Sequence, residues 1–173
     1  MRVLYAVSVL FVSAAVAQQP NPDQSFFTQA AEGGLAEVDA GKLAQAKGSS
    51  PAVKEFGVQM VTDHGKANAK LKSIAASKQV MLPSQPNAEH QAMKKKLEGL
   101  NGPAFDAAYM QGQVSDHEKV AALLEQEAAG GKDAQAKTFA AETLPTVQMH
   151  LEMARKLSHG GLPHSTTDTT KHE

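Results

Sequence analysis

SPAVKEFGVQMVTDHGKANAKLKSIAASK, residues 50–78, is the stretch whose reading decides the fold. Ser50-Pro51 is an N-cap followed by a proline at the first helical position, where its missing N–H costs nothing. From there the sequence has 3.6-residue periodicity, and no stretch alternates as a strand would. Pro83 closes the segment. Within it, Val61, His64 and Leu71 share a narrow stripe, since offsets of three and seven return to one helix face. Flanked by valine and leucine, the imidazole of His64 is expected to point into a core.

The same frame appears twice more, as Val114, His117, Leu124 and as Val147, His150, Leu157. Punctuation places each copy on its own helix. Asp23 or Ser25 caps a first helix through about Ala46, stopped at Lys47-Gly48, and Asn87 caps a short one to Leu100. Asn101-Gly102-Pro103 opens a long segment that Gly130-Gly131 ends. Asp133 opens the last, which runs to Ser158 before Gly160-Gly161. The expectation is an all-α chain: a four-helix bundle over residues 23–161 with a short extra helix between the second and third long ones. Two irregularities stand out. Gly33-Gly34 lies inside the first helix, so either a neighbouring backbone comes close there or the helix begins later. Pro145 cannot donate to Ala141, so the last helix should bend or split.

Outside the helices the chain reads as export and tail. Arg2, an apolar run from Val3 to Val12 and Ala15-Val16-Ala17 have the order of a secretory leader over residues 1–17. The run is shorter than the roughly 20 residues a spanning helix needs. Residues 18–22 then form a mature N-terminal extension, and residues 162–173, polar and Thr-rich, a disordered tail. The protein is therefore expected to be secreted across the inner membrane and to be periplasmic or envelope-associated, with no integral insertion of the mature chain. Helical periodicity throughout also argues against a barrel.

Composition narrows the function. With 17 basic and 18 acidic residues and a formal charge of −1, the chain lacks the basic field of a nucleic-acid binder. Without cysteine there is no disulfide, no thiolate metal site and no cysteine nucleophile. Three inward imidazoles remain, and neutral imidazole binds zinc, copper and iron. His64, His117 and His150 are therefore candidate ligands. On the first helix Glu32 and Asp39 share the stripe of Leu35 and Leu43 and are the candidate carboxylates, with Glu37 on another face. Met60, four residues before His64, offers a thioether, as do Met110 and Met153 near the other two histidines, and thioether with imidazole favours copper. The competing reading is that the histidines only stitch the core and the methionines only fill it. Asp63 and Asp116 diverge by about 100° from the histidines beside them. They are expected to pair with Lys66, Lys70 or Lys119 instead. Lys94-Lys95-Lys96 reads as a solvated face, and His159, His164 and His172 lie near or in the tail.

Gly33-Gly34-Leu35-Ala36-Glu37-Val38, Val53-Lys54-Glu55-Phe56, Met60-Val61-Thr62-Asp63-His64, Phe105-Asp106-Ala107-Ala108-Tyr109-Met110, Asp116-His117-Glu118 and Thr143-Leu144-Pro145 together resemble a bacterial family of unknown function, DUF 4142. Its members are labelled exported or outer-membrane proteins and grouped with ferritin-like folds. The resemblance implies a ferritin-like four-helix architecture and no established reaction. Di-iron bundles of that architecture place a glutamate three residues before each ligand histidine; here those positions are Val61, Val114 and Val147. A di-iron enzyme is thus not expected. What remains is a metal-binding bundle holding copper, zinc or iron, a structural or stress-related bundle with a protein partner, or a mononuclear metal oxidase.

Overall fold

A computed structural model describes residue 21 and residues 23–159. The expected leader at 1–17, most of the N-terminal extension and the expected tail at 162–173 lie outside the described residues. Those described form five helices and no strand: α1 (Gln24–Lys47), α2 (Pro51–Ser77), α3 (Ala88–Glu98), α4 (Gly102–Gly130) and α5 (Ala134–Ser158). None is long and apolar enough to cross a membrane.

The caps explain the boundaries, though two work differently from the sequence reading. Asn87 and Asp133 cap as expected: Asn87 accepts from the His90 amide, Asp133 from those of Gln135 and Ala136. Ser50 occupies the N-cap of α2 without using its hydroxyl. The acceptor comes instead from α4, where Asp106 takes the Ser49 amide at 3.0 Å, the Ser50 amide at 2.8 Å and the Ser49 hydroxyl at 2.6 Å. Asp23, ahead of α1, likewise turns away from its own helix. Its carboxylate accepts from the amides of Lys132 and Asp133 in the α4–α5 turn.

α1 packs on α2, α4 on α5, α1 against α4 and α2 against α5, while α3 lies on α1 and α4. The α1–α2 seam is tight because it is made of small residues. A Cβ added at Gly57 would stand 2.7 Å from the Gly41 carbonyl oxygen and 2.8 Å from Ala44 Cβ. At Gly33-Gly34, where either such a backbone approach or a later helix start is expected, neither is found: α1 is continuous, Gly34 makes room for the Asn68 side chain, and a Cβ added at Gly33 would stand 3.8 Å from Val120, an ordinary contact. α5 runs through Pro145 without splitting.

Two apolar clusters form the core. One gathers Phe26, Phe27, Leu71, Leu124, Phe139 and Val147; the other Phe56, Met60, Phe105, Tyr109, Met110 and Ala154. α1 and α5 meet the first cluster before the second, and α2 and α4 meet them in the reverse order, so the pairs run in opposite directions. Where each helix passes between the clusters it carries a buried polar residue: Glu37, His64, Gln113 with His117, and His150. The functional question concerns that layer.

Candidate metal centre

His64 from α2, His117 from α4 and His150 from α5 converge. Their ring centroids are 5.5, 5.5 and 5.6 Å apart, nearly an equilateral triangle. One ligand nitrogen from each lies within 4.8 Å of the others. All three residues are buried. The Val-x-x-His frame thus did what its spacing implied, setting each ring inward at a common level.

Second nitrogens decide what the rings can do. His117 Nδ1 donates to the Gln113 carbonyl oxygen at 2.9 Å, and His150 Nε2 donates to Asp63 at 3.1 Å. Those bonds fix the tautomers, leaving lone pairs on His117 Nε2 and His150 Nδ1. Both of these nitrogens, and His64 Nε2 with them, are buried with no hydrogen-bond partner. Burial holds the His64 pKa down at about 3, with the neighbouring His117 and His150 adding to the effect, and the His117 pKa at about 4. His150 is lowered as well, by burial first and His117 second, against the opposing pull of Asp63. At neutral pH the rings are uncharged, so their lone pairs are free for a Lewis acid.

The carboxylates fall elsewhere than the sequence suggested. Asp39 is on the surface, paired with Lys94 at 2.7 Å, and neither it nor Glu32 belongs to the convergent group. Glu37 is the buried acid of α1, its Oε2 accepting from Gln113 Nε2 at 2.7 Å and its Oε1 lying 3.7 Å from His117 Nδ1. Burial raises its pKa to about 7, against the lowering effect of the Gln113 hydrogen bond. The reason for the misplacement is physical. The seam of α1 is lined by Gly34, Gly41 and Ala44, and Glu37 shares that face, whereas the larger Leu35 and Leu43 sit at its partly exposed margin. A reading by hydrophobic size picks the wrong stripe when close packing is done by glycine. Met60 is fully buried in the second apolar cluster, its Cβ facing Gly41.

Asp63 and Asp116 do neighbour lysines as expected, Lys66 at 4.0 Å and Lys119 at 3.7 Å. Asp63, turned away from His64, is thereby aimed at α5 and His150, a partner that spacing along one helix does not give. Gln113 could have been found, because it lies four residues before His117 on the same face. Beside Glu37 a cavity of about 30 Å³, with room for one water molecule, is lined by His90 and Tyr109 as well as Gln113. On the opposite side a cleft of about 300 Å³ between α2 and α5 reaches His64 and His150, with Asp63, Lys70, Glu142 and Thr146 along it.

Among the described residues these features define an all-helical fold built around a buried triple of neutral histidines, each with a buried nitrogen left uncommitted. The profile of the family described as Domain of unknown function (DUF4142) matches residues 11–157, and the chain belongs to that family. No curated protein and no solved structure matches it.

Proposed function

We propose that this is an exported, ferritin-like four-helix bundle that binds one transition-metal ion through His64 Nε2, His117 Nε2 and His150 Nδ1. The observation that carries the reading is that three neutral rings bring one ligand nitrogen each within 4.8 Å of the others, while each ring keeps a buried nitrogen with no hydrogen-bond partner in a core where an unsatisfied polar atom costs about 1–3 kcal/mol. A structural histidine is hydrogen-bonded on both sides or faces water; here His117 and His150 are each bonded through one nitrogen, and the other is buried without a partner. Asp63 and the Gln113 carbonyl then act as the outer acceptors that orient ligand imidazoles in metal sites.

Ligands 2.0–2.1 Å from one ion stand about 3.3–3.6 Å apart, so loading draws the rings together by at most about 1.5 Å. Three neutral nitrogens with no first-sphere carboxylate suit zinc and copper better than the oxygen-rich sites of magnesium or calcium, and copper(II) binds such sets most tightly. Three protein ligands leave a fourth position open. The bundle architecture is supported by the opposed directions of the helix pairs and by the long α2–α4 connection that carries α3, the single crossover of ferritin-like bundles. Export rests on the leader-like residues 1–17.

The test is the metal content and zinc or copper titration of untagged protein. One ion per chain is expected, lost in His117→Ala while the far-ultraviolet helical spectrum persists. A chain that takes up no ion, or a His117→Ala variant that binds as the wild type does, overturns the reading in favour of core histidines with a structural role.

A further inference from the structure

The three candidate ligands are not held alike. His117 is anchored to the Gln113 carbonyl and His150 to Asp63, but among the described residues no hydrogen bond holds the His64 ring, whose neighbours at the site are the other two rings. His117 is 1% exposed, whereas His64, at 7%, borders the α2–α5 cleft. Displacing His117 would break its backbone bond and strand its ring among apolar side chains. Rotating His64 gives up its contacts with the other two rings but breaks no hydrogen bond among the described residues, and beside the cleft water can replace the lost ligand.

From this asymmetry we propose that the bound ion is cargo: it is loaded and surrendered through the α2–α5 cleft, with His64 as the ligand that opens. The inference rests on the metal-binding reading and adds the direction and manner of exchange. In the exchange step an incoming oxygen or nitrogen donor forms a bond to the ion from the cleft side as the His64 Nε2–metal bond breaks. His117 and His150 release next, and the ion departs on the incoming ligand with its charge unchanged; no electron is transferred. The cleft suits such a donor. Asp63 lies beside His150, Thr143 and Thr146 line the wall, and Lys70 and Glu142 pair across the rim, offering both signs of charge to an approaching carboxylate or amine ligand. A cofactor retained for catalysis needs the opposite design, with every ligand braced from behind.

The experiment mixes the zinc-loaded full chain with excess nitrilotriacetate and follows release by stopped flow. The expected result is a rate that rises with chelator concentration. Thr146→Trp, placed on the partly exposed cleft wall, should slow uptake and release by the same factor, with the dissociation constant unchanged. His64→Ala should still bind zinc, more weakly, and release it faster than the wild type. Lys70→Trp on the exposed rim repeats the blocking test if Thr146→Trp fails to give a helical spectrum. A release rate independent of chelator concentration, or one unchanged in the blocking variant, overturns the exchange route while leaving the metal site standing. Failure of the wild type to bind zinc or copper removes both.

Discussion

Asp106 and His117 lie on the same helix, each 1% exposed, and they make opposite use of burial. The oxygens of Asp106 take three hydrogen bonds, all from the turn between α1 and α2. His117 has one nitrogen committed to a backbone carbonyl and one with no partner, facing a layer in which two other rings also keep a bare nitrogen. A buried polar group whose capacity is used up is a joint. One whose capacity is left over, in company with others aimed at the same place, is a site. The distinction lies in the accounting of donors and acceptors rather than in burial or residue type.

The sharpest break of this comparison is Asp106→Ala. It strands the Ser49 and Ser50 amides and should cost about 2–4 kcal/mol of unfolding free energy while leaving zinc stoichiometry unchanged. Urea unfolding measures the first and titration the second. A cost below about 1 kcal/mol would mean that water replaces the carboxylate and that the joint is no joint.

Acid should separate the regions next. Neutral rings with pKa values below the ordinary 6.5 stabilise the fold fully above that pH. The contribution is lost as pH falls toward about 4 for His117 and about 3 for His64, at about 1.4 kcal/mol per unit per ring. Two buried acids oppose this. Glu37 is raised to about 7 by burial, and Glu127 to about 7 by burial and then by Asp23 and Asp133; each stabilises fully below the ordinary 4.5 and loses that contribution as pH rises through 7. Between pH 6.5 and 4.5 the opposing trends largely cancel. Below 4.5 nothing offsets the histidines, so urea midpoints of the metal-free chain should hold roughly level and then fall steeply. A profile that stays level down to pH 3 would show that the rings are not buried as neutral bases.

The smallest effect expected is at Asp63. Its removal leaves His150 a ligand without its outer acceptor, and zinc affinity should weaken by about tenfold, with little change in helicity. An affinity equal to the wild type would show that Asp63 serves only its lysine.

Much of this was legible beforehand, for identifiable reasons. Ser50-Pro51, Asn87, Asn101-Gly102-Pro103 and Asp133 are local signals, and α2, α3, α4 and α5 begin where they stand. The repeated Val-x-x-His frame is also local, which is why three ring directions could be read from it. What escaped reading was set between helices. Glu37 was hidden by a seam of glycine and alanine, Asp63 serves a residue 87 positions away, and the cap of α2 is supplied by α4. One-dimensional spacing tells which way a side chain leaves its own helix; it does not name what the side chain meets.

The crossed carboxylates have a further consequence, for how the chain assembles. Asp106, near the start of α4, closes the turn of the α1–α2 pair, and Asp23, just before α1, closes the turn of the α4–α5 pair. Each hairpin therefore carries the missing piece of the other, and neither turn is finished until both have met. Folding should accordingly be all-or-none across the two hairpins, with no stable half. The histidine triangle, which draws one corner from α2 and two from α4 and α5, comes into being only at that same moment of docking. A chain caught half-assembled would offer an ion no complete place to bind, so the proposed loading is confined to molecules that have finished folding.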